Sequence, residues 1–401
     1  MFNIIILGIA SFLTDVSTEM VYPLLPLYLT SARIGASPAI VGLIEGLAES
    51  TASLVRVFSG YWSDRLQQRK PLTIAGYSFS VIGKFFLYIS AAWPLVLVGR
   101  IADRFGKGIR TAPRDALIAD SSHASQRGSA FGLHRALDSA GASVGVILAF
   151  VLFVSLRDDF TNIFLISLVP AALGVLALFF VREKLAPSTS ATPSVSSGEG
   201  IAPSARVAAP SQGPWWRGLG ARWRALDRRL KLFLVIVFVF ALGNSSNEFL
   251  LLRASNLGFD NATVILMYLA YNVVYAVVSW PAGRLSDRLG RKGLLVGGYL
   301  TYGIVYVGFA IASPLQLWGL FATYGIYVAM TEGVEKALVS DIAPMELRAT
   351  LIGLHATFTG VGLLPASLLA GFLWNAFGPQ ATFYFGGGMG ALAAVALWLL
   401  I

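Results

Sequence analysis

The sequence predicts an all-α integral membrane protein, twelve transmembrane helices arranged as two pseudo-symmetric six-helix bundles. Three observations carry this prediction. The first is composition: of 401 residues, 56% are hydrophobic and only 13% charged, with a mean hydropathy of +0.70, whereas an ordinary soluble domain is about 25% charged. The second is a series of apolar runs of about 20 residues, the length that crosses a bilayer as a helix. The third is a repeat, because GYWSDRLQQRK at 60–70 returns as GRLSDRLGRK at 283–292, each time directly after a long apolar run.

In chain order the runs lie at 4–29, 38–62, 71–92, 127–155 and 160–181, then at 231–254, 262–286, 292–313, 315–341, 348–375 and 379–400. The first half therefore shows five and the second six. Residues 93–119, within WPLVLVGRIADRFGKGIRTAPRDALIAD, are too charged for hydropathy alone to select. The repeat supplies the missing helix. Its offset is 283 − 60 = 223, and near that offset ADSSHASQRGSAFGLH (119–134) lies over SDIAPMELRATLIGLH (340–355), at 340 − 119 = 221. Asp120, Arg127, Gly132, Leu133 and His134 thus coincide with Asp341, Arg348, Gly353, Leu354 and His355, and TDVSTE (14–19) weakly resembles GNSSNE (243–248). Two homologous halves follow, so 93–119 is expected to be a helix whose charges face protein or water instead of lipid.

Domain limits follow from the same reading: a first bundle over 1–184, a linker over 185–230 and a second bundle over 231–401. The stretch 185–214 is rich in Pro, Ser, Ala and Gly and reads as disordered. WWRGLGARWRALDRRLK (215–231) interleaves Trp215, Trp216 and Trp223 with Arg and reads as an interfacial amphipathic helix on anionic headgroups. Arg65, Arg69, Lys70, Arg127, Arg284, Arg288, Arg291, Lys292 and Arg348 fall on one side of the predicted bundle, against Arg33 and Arg157 on the other. Positive charge collects on the cytoplasmic side, so both termini are expected there, in a plasma membrane of the bacterial inner-membrane kind. No cleavable signal peptide is expected, since the first run carries Asp15 and Glu19.

Composition also excludes. With no cysteine, disulfides, thiolate catalysis and cysteine-ligated metals are ruled out. The net charge of +9 sits in short clusters between apolar runs, which argues against nucleic acid as a partner. FGKG (105–108) lacks the glycine, the Ser or Thr and the preceding strand of a phosphate loop. His134 and Asp138 have no accompanying nucleophile or metal-ligand cluster, so no enzyme, cofactor or metal is expected.

Twelve helices in two halves, a basic central loop and GxxxDR after the second helix of each half resemble the major facilitator superfamily over essentially the whole chain. The resemblance implies a gate built from Gly60, Asp64 and Arg65 and from Gly283, Asp287 and Arg288, in which the glycine permits a tight turn, the aspartate contacts the opposite half and the arginine holds the gate. Gln67 and Gln68 depart from that pattern in the first copy. DSAGASVG (138–145) lacks the proline of the antiporter signature, which leaves the direction of transport open.

The chemistry is expected in the intramembrane charges. Glu45, Glu49 and Arg56 fall within about 40° of one another on the second helix, and Asp15 and Glu19 are neighbours one turn apart on the first. Arg100, Asp103, Arg104, Lys107, Arg110 and Arg114 occupy an arc of about 120° on the fourth, the pattern of one wet face. Lys84 stands alone on the third helix, while Arg127, His134 and Asp138 share one side of the fifth. Structural pairing is expected for about half of these charges and transport for the rest. Glu45 and Glu49 are the leading proton carriers because two carboxylates one turn apart cannot both ionise cheaply, with Asp15, Glu19 and Glu248 as further candidates. Arg100, Asp103, Arg104, Lys107 and Lys84 should form one wall of a substrate cavity. Asn244, Asn247, Tyr268, Tyr271, Asn272 and Tyr275 should form the other. His134, Asp138, Arg127, Arg348 and His355 are placed with the gate. The expected function is export of a small charged or amphiphilic solute by a monomeric, proton-coupled carrier, the alternatives being a broad drug–proton antiporter and an uptake permease for an anionic metabolite.

Overall fold

A computed structural model describes residues 2–66, 69–122, 127–182, 227–342 and 348–401. The linker, the Trp/Arg segment before Asp227 and the pair Gln67 and Gln68 lie outside the described residues. Among the described residues the helices form twelve rods, named here α1 (Phe2–Thr30), α2 (Pro38–Leu66), α3 (Arg69–Tyr88), α4 (Trp93–Asp120), α5 (Arg127–Ser155), α6 (Phe160–Leu178), α7 (Arg228–Asn256), α8 (Asn261–Leu289), α9 (Arg291–Ile311), α10 (Leu317–Ile342), α11 (Arg348–Phe377) and α12 (Pro379–Leu400). Strands are absent among the described residues. Successive rods alternate in direction, so Phe2 and Leu400 share one face of the bundle, called here the terminal face.

Among the described residues, nine of these rods are apolar enough to cross a membrane by length and composition, and α3, α4 and α10 are not. The runs expected at 71–92 and 315–341 do form the helices α3 and α10, but Lys84 in one and Glu332, Glu335, Lys336 and Asp341 in the other lower their average hydropathy. For α4 the sequence expectation holds as read. Its Arg100, Asp103, Arg104 and Arg110 are all buried against neighbouring helices.

Two rods expected to be continuous are broken. In α1 the helix tightens to a 3₁₀ turn at Tyr22–Leu24, where Pro23 and Pro26 contribute no amide hydrogen to the ladder. In α7 the helix stops at Gly243 and restarts at Glu248. Asn244, Ser245, Ser246 and Asn247 occupy the gap, residues whose side chains compete for backbone hydrogen bonds. The two breaks fall in the corresponding first helices of the two halves, at 22–24 and 244–247, although the overlay of TDVSTE on GNSSNE, at 243 − 14 = 229, does not bring them into register.

Packing repeats as the sequence does. Within the first six helices α1 packs on α5 and α6, α2 on α4, and α3 on α4 and α6. Within the last six, α7 packs on α11 and α12, α8 on α10, and α9 on α10 and α12. The halves meet where α2 packs on α11 and α5 on α8, and where the broken ends of α1 and α7 touch. At the α2–α11 seam a Cβ on Gly42 would strike the carbonyl of Ser367, and one on Gly371 the backbone of Ala39. Only glycine allows that approach, which seals the bundle on the face opposite the termini. Gly42→Ile should pry this seam open, and labelling of a cysteine introduced by Ser50→Cys, in a chain that has no other, should quicken about tenfold, as overpacking of 1–3 kcal/mol allows. An unchanged rate would show that the seam does not close this face.

The apolar interior is uneven. One large cluster fills the second half, the broken ends of α1 and α7 and the far ends of the other first-half helices, with Val41, Leu87, Val96, Phe153 and Phe164, and a small one, with Ile4, Leu7, Tyr77, Leu117 and Leu178, lies near the terminal face of the first half. Charged side chains occupy the layer between them. Outside, large apolar residues such as Val151, Leu176, Val277, Ile304 and Leu399 are exposed, as a lipid-facing surface requires.

Candidate functional site

The charged layer of the first half is a ladder between α2, α3 and α4. Arg100 grips Glu45 with two parallel hydrogen bonds, Nε to Oε1 at 2.6 Å and Nη2 to Oε2 at 2.7 Å. One turn along both helices, Arg104 Nε lies 2.8 Å from Glu49 Oε1. The common spacing of four puts both rungs on one face of each helix. On the other side of α4, Asp103 receives Lys84 Nζ at 3.4 Å and lies 3.8 and 3.7 Å from the guanidinium groups of Arg100 and Arg104. Lys84 also donates to Thr18 of α1 at 3.2 Å.

Six charges therefore neutralise each other inside the first half, and the planar guanidinium suits the two-point rung at Glu45. This alters the sequence picture: Glu45 and Glu49 do not depend on each other, since each faces its own arginine. The rest of the α4 stripe is placed differently. Arg110 lies over the Tyr77 ring at 4.4 Å and donates to Ser80 at 2.6 Å, and Arg114 donates to Ser11 and to Asp115. Lys107 is half-buried within electrostatic range of Glu49, Arg56 and Asp15.

Glu19 of α1 faces the second half, and Asp15 faces charged groups of α4 and α5. Glu19 accepts a hydrogen bond from Tyr268 of α8 at 3.2 Å, and Asp15 lies within range of Asp138. His134 Nδ1 is 3.6 Å from Asp138 Oδ2, while His134 Nε2 and Asp138 Oδ1 are buried with no hydrogen-bond partner among the described residues. In the second half His355 Nε2 lies 3.0 Å from Glu335 Oε2, whose other oxygen accepts from Tyr299 at 2.9 Å. Both copies of the repeated histidine thus keep an acid beside them, from the same helix in one half and from α10 in the other. Among the expected gate residues, Gly283 is half-buried and Arg288 exposed. The side chains of Gly60, Asp64, Arg65, Arg127, Asp287 and Arg348 lie outside the described residues.

The second half builds its wall from tyrosines. Tyr268, Tyr271 and Tyr275 form one stripe on α8, with ring centres 5.5 and 6.5 Å apart. Asn272 turns back to the carbonyl of Tyr268 on its own helix. The break in α7 is held by hydroxyls that sequence reasoning missed: Tyr302 donates to the Gly243 carbonyl at 2.7 Å, Tyr324 to Asn247 at 2.7 Å, and Asn244 donates to Tyr327 at 3.3 Å. Their signal was available as 299, 302, 306 on α9 and 324, 327 on α10, at spacings of three and four.

The break also delivers Glu248, the first residue of the second segment of α7, to the middle of the molecule. Glu248 is fully buried, and neither carboxylate oxygen accepts a hydrogen bond from a donor group among the described residues. Its carboxyl lies beside that of Glu45 and within range of Arg100, and Tyr22, from the break in α1, reaches Ser246 next to it. Two acids from opposite halves therefore meet at Arg100, while Arg104, also within range of Glu248, is engaged by Glu49.

Two six-helix halves that meet around a buried polar layer, each with an interrupted first helix, are the build of an alternating-access carrier. The Major Facilitator Superfamily model matches residues 7–254 and 232–401. The chain belongs to this superfamily of secondary transporters, and is a carrier and not an enzyme. It is 38% identical over 402 residues to an uncharacterized MFS-type transporter of Methanocaldococcus jannaschii, covering 98% of this chain and 94% of that one. It is 26% identical to the multidrug resistance protein MdtH of Enterobacter sp. over 86% of this chain and 78% of that one. The nucleoside transporter NupG shares the fold at a TM-score of 0.78 with 13% identity, over 99% of this chain and 98% of its own. A D-xylose-proton symporter does so at 0.73 with 17% identity, over 100% and 98%.

Proposed function

We propose that the chain is a proton-coupled exporter of a small charged or amphiphilic solute, working as a monomer in the plasma membrane, with Glu248 as the proton carrier. The observation that carries this reading is the arrangement of Glu45, Glu248 and Arg100. An ionised carboxylate without a partner costs several kcal/mol in a dry interior, so with Arg100 facing two acids, and Arg104 engaged by Glu49, the site has a place for one proton. Loss of that proton would make Glu248 compete with Glu45 for Arg100 and draw α7 against α2 and α4. Deprotonation would thereby act on the relation between the halves, which is what coupling requires. Proteoliposomes loaded with a solute found in a thermal-shift screen of metabolites, siderophores and drugs test it, by comparing accumulation under a pH gradient with exchange down the solute's own gradient.

Export is favoured by the likeness to a protein named for multidrug resistance. Lys107, half-buried within range of Asp15, Glu49 and Arg56, favours a charged solute over the broad range of apolar drugs. The terminal face is taken as cytoplasmic, because Arg69, Lys70, Arg284, Arg288, Arg291 and Lys292 lie at helix ends there, against Arg33 and Arg157 opposite. The bundles are set at 1–184 and 231–401 with a cytoplasmic linker over 185–230. Gly60, Asp64 and Arg65 and their copies Gly283, Asp287 and Arg288 are assigned to the cytoplasmic gate on the strength of the repeat. His134, Asp138 and His355 join them.

A further inference from the structure

Below the tyrosine stripe of α8, toward the terminal face, a cavity of about 450 Å³ opens between α5, α8, α9 and α10. Arg135, Tyr275, Ser279, Arg291, Glu332 and Lys336 are among its lining residues. One acid and three basic residues therefore surround it. Arg291 is matched by Asp341, which leaves Arg135 and Lys336 to share Glu332.

They share it loosely. Tyr275 holds Glu332 Oε2 at 2.6 Å, but Arg135 Nη2 and Lys336 Nζ stand 3.7 and 3.8 Å from Oε1, beyond hydrogen-bond length. Their side chains are 67% and 51% exposed, so neither cation is covered by the acid, although Arg135 also reaches the Tyr275 hydroxyl. A guanidinium carries five N–H donors and an ammonium three, far more than one carboxylate oxygen absorbs. Arg135 belongs to the first half and Glu332 to the second, so this loose pair also spans the seam.

We propose that this cavity is a binding site for a small anion, a carboxylate, sulfate or phosphate group presented by the solute, which takes Arg135 and Lys336 from Glu332 and so loosens the tie between the halves. The inference rests on the transport reading and deepens it, placing an anionic group on the solute and a vestibular stop for it at the terminal face. A lipid phosphate offers the same chemistry, but the lining continues the stripe that faces the space between the halves, and the proposal commits to a water-borne anion.

The test is calorimetric titration of inorganic phosphate into the purified full-length chain in nanodiscs of neutral lipid, at constant ionic strength. Saturable binding is expected. Arg135→Gln and Lys336→Gln should each weaken it about tenfold, the loss of one charge-assisted contact. Glu332→Gln, which removes the competing carboxylate and keeps both cations, should tighten it several-fold, whereas a merely structural role would make all three changes harmful or neutral. No binding, or affinity unmoved by Arg135→Gln and Lys336→Gln, overturns the site. Binding that vanishes in nanodiscs rich in phosphatidylglycerol assigns the cavity to lipid and overturns the solute assignment. Solute exchange is measured separately in proteoliposomes: a protein that exchanges solute but binds no phosphate refutes this site alone, and one that binds phosphate but exchanges nothing refutes the transport reading.

Discussion

Arg100→Gln should destabilise the protein more than any other single exchange in the charged layer, by about 3–5 kcal/mol, the range for removing one partner of a buried ion pair. The substitution strips Glu45 of both its hydrogen bonds. It also leaves two acids, Glu45 and Glu248, at the meeting point of the halves, with only Arg104, already engaged by Glu49, within range. The double variant Glu45→Gln, Arg100→Gln removes the pair together and should recover a large part of the loss, because neither amide carries a charge to bury. Thermal or denaturant unfolding of the detergent-solubilised variants in a double-mutant cycle measures the difference. Equal loss in single and double variants would show that the pair is not the unit of stabilisation.

Glu248→Gln carries the largest functional effect. Glutamine preserves the shape and the backbone start of the second segment of α7, yet cannot release a proton. Accumulation driven by a pH gradient should fall to the level of passive exchange, while exchange down the solute's own gradient continues at close to the wild-type rate. Glu49→Gln should behave otherwise. It removes one rung of the ladder, at Arg104, and is expected to lower stability while leaving coupling in place. If Glu49→Gln uncouples and Glu248→Gln does not, the proton pathway runs through α2, as the spacing of Glu45 and Glu49 alone suggests.

Much of the architecture was legible because the chain is written twice. The repeat at 60–70 and 283–292 and the pair His134 and His355 mark 93–119 as a helix on sequence grounds alone, against its hydropathy. What sequence periodicity could not supply was the identity of partners across helices. Glu45 and Glu49 share a helix face, which invites the idea of a shared proton, but the arginines that neutralise them come from α4 at the same spacing of four, a match visible only when the helices are side by side. The breaks in α1 and α7 were missed for a local reason. Both lie inside apolar windows whose average conceals Pro23 and Pro26 in one and a run of Asn and Ser in the other. The tyrosines of α9 and α10 were missed because their rings count as apolar, while their hydroxyls close the broken backbone of α7.

The proton on Glu248 can be observed without knowing the solute. Infrared difference spectroscopy of wild type and Glu248→Gln in lipid at neutral pH reports protonated carboxyl groups directly through their C=O stretch. The wild type should show a protonated-carboxyl band that loses the intensity of one group in Glu248→Gln and keeps it in Glu49→Gln. A wild-type spectrum unchanged by Glu248→Gln would contradict proton carriage at this site, because Glu248 would then be ionised and the two acids over Arg100 would hold no proton to move.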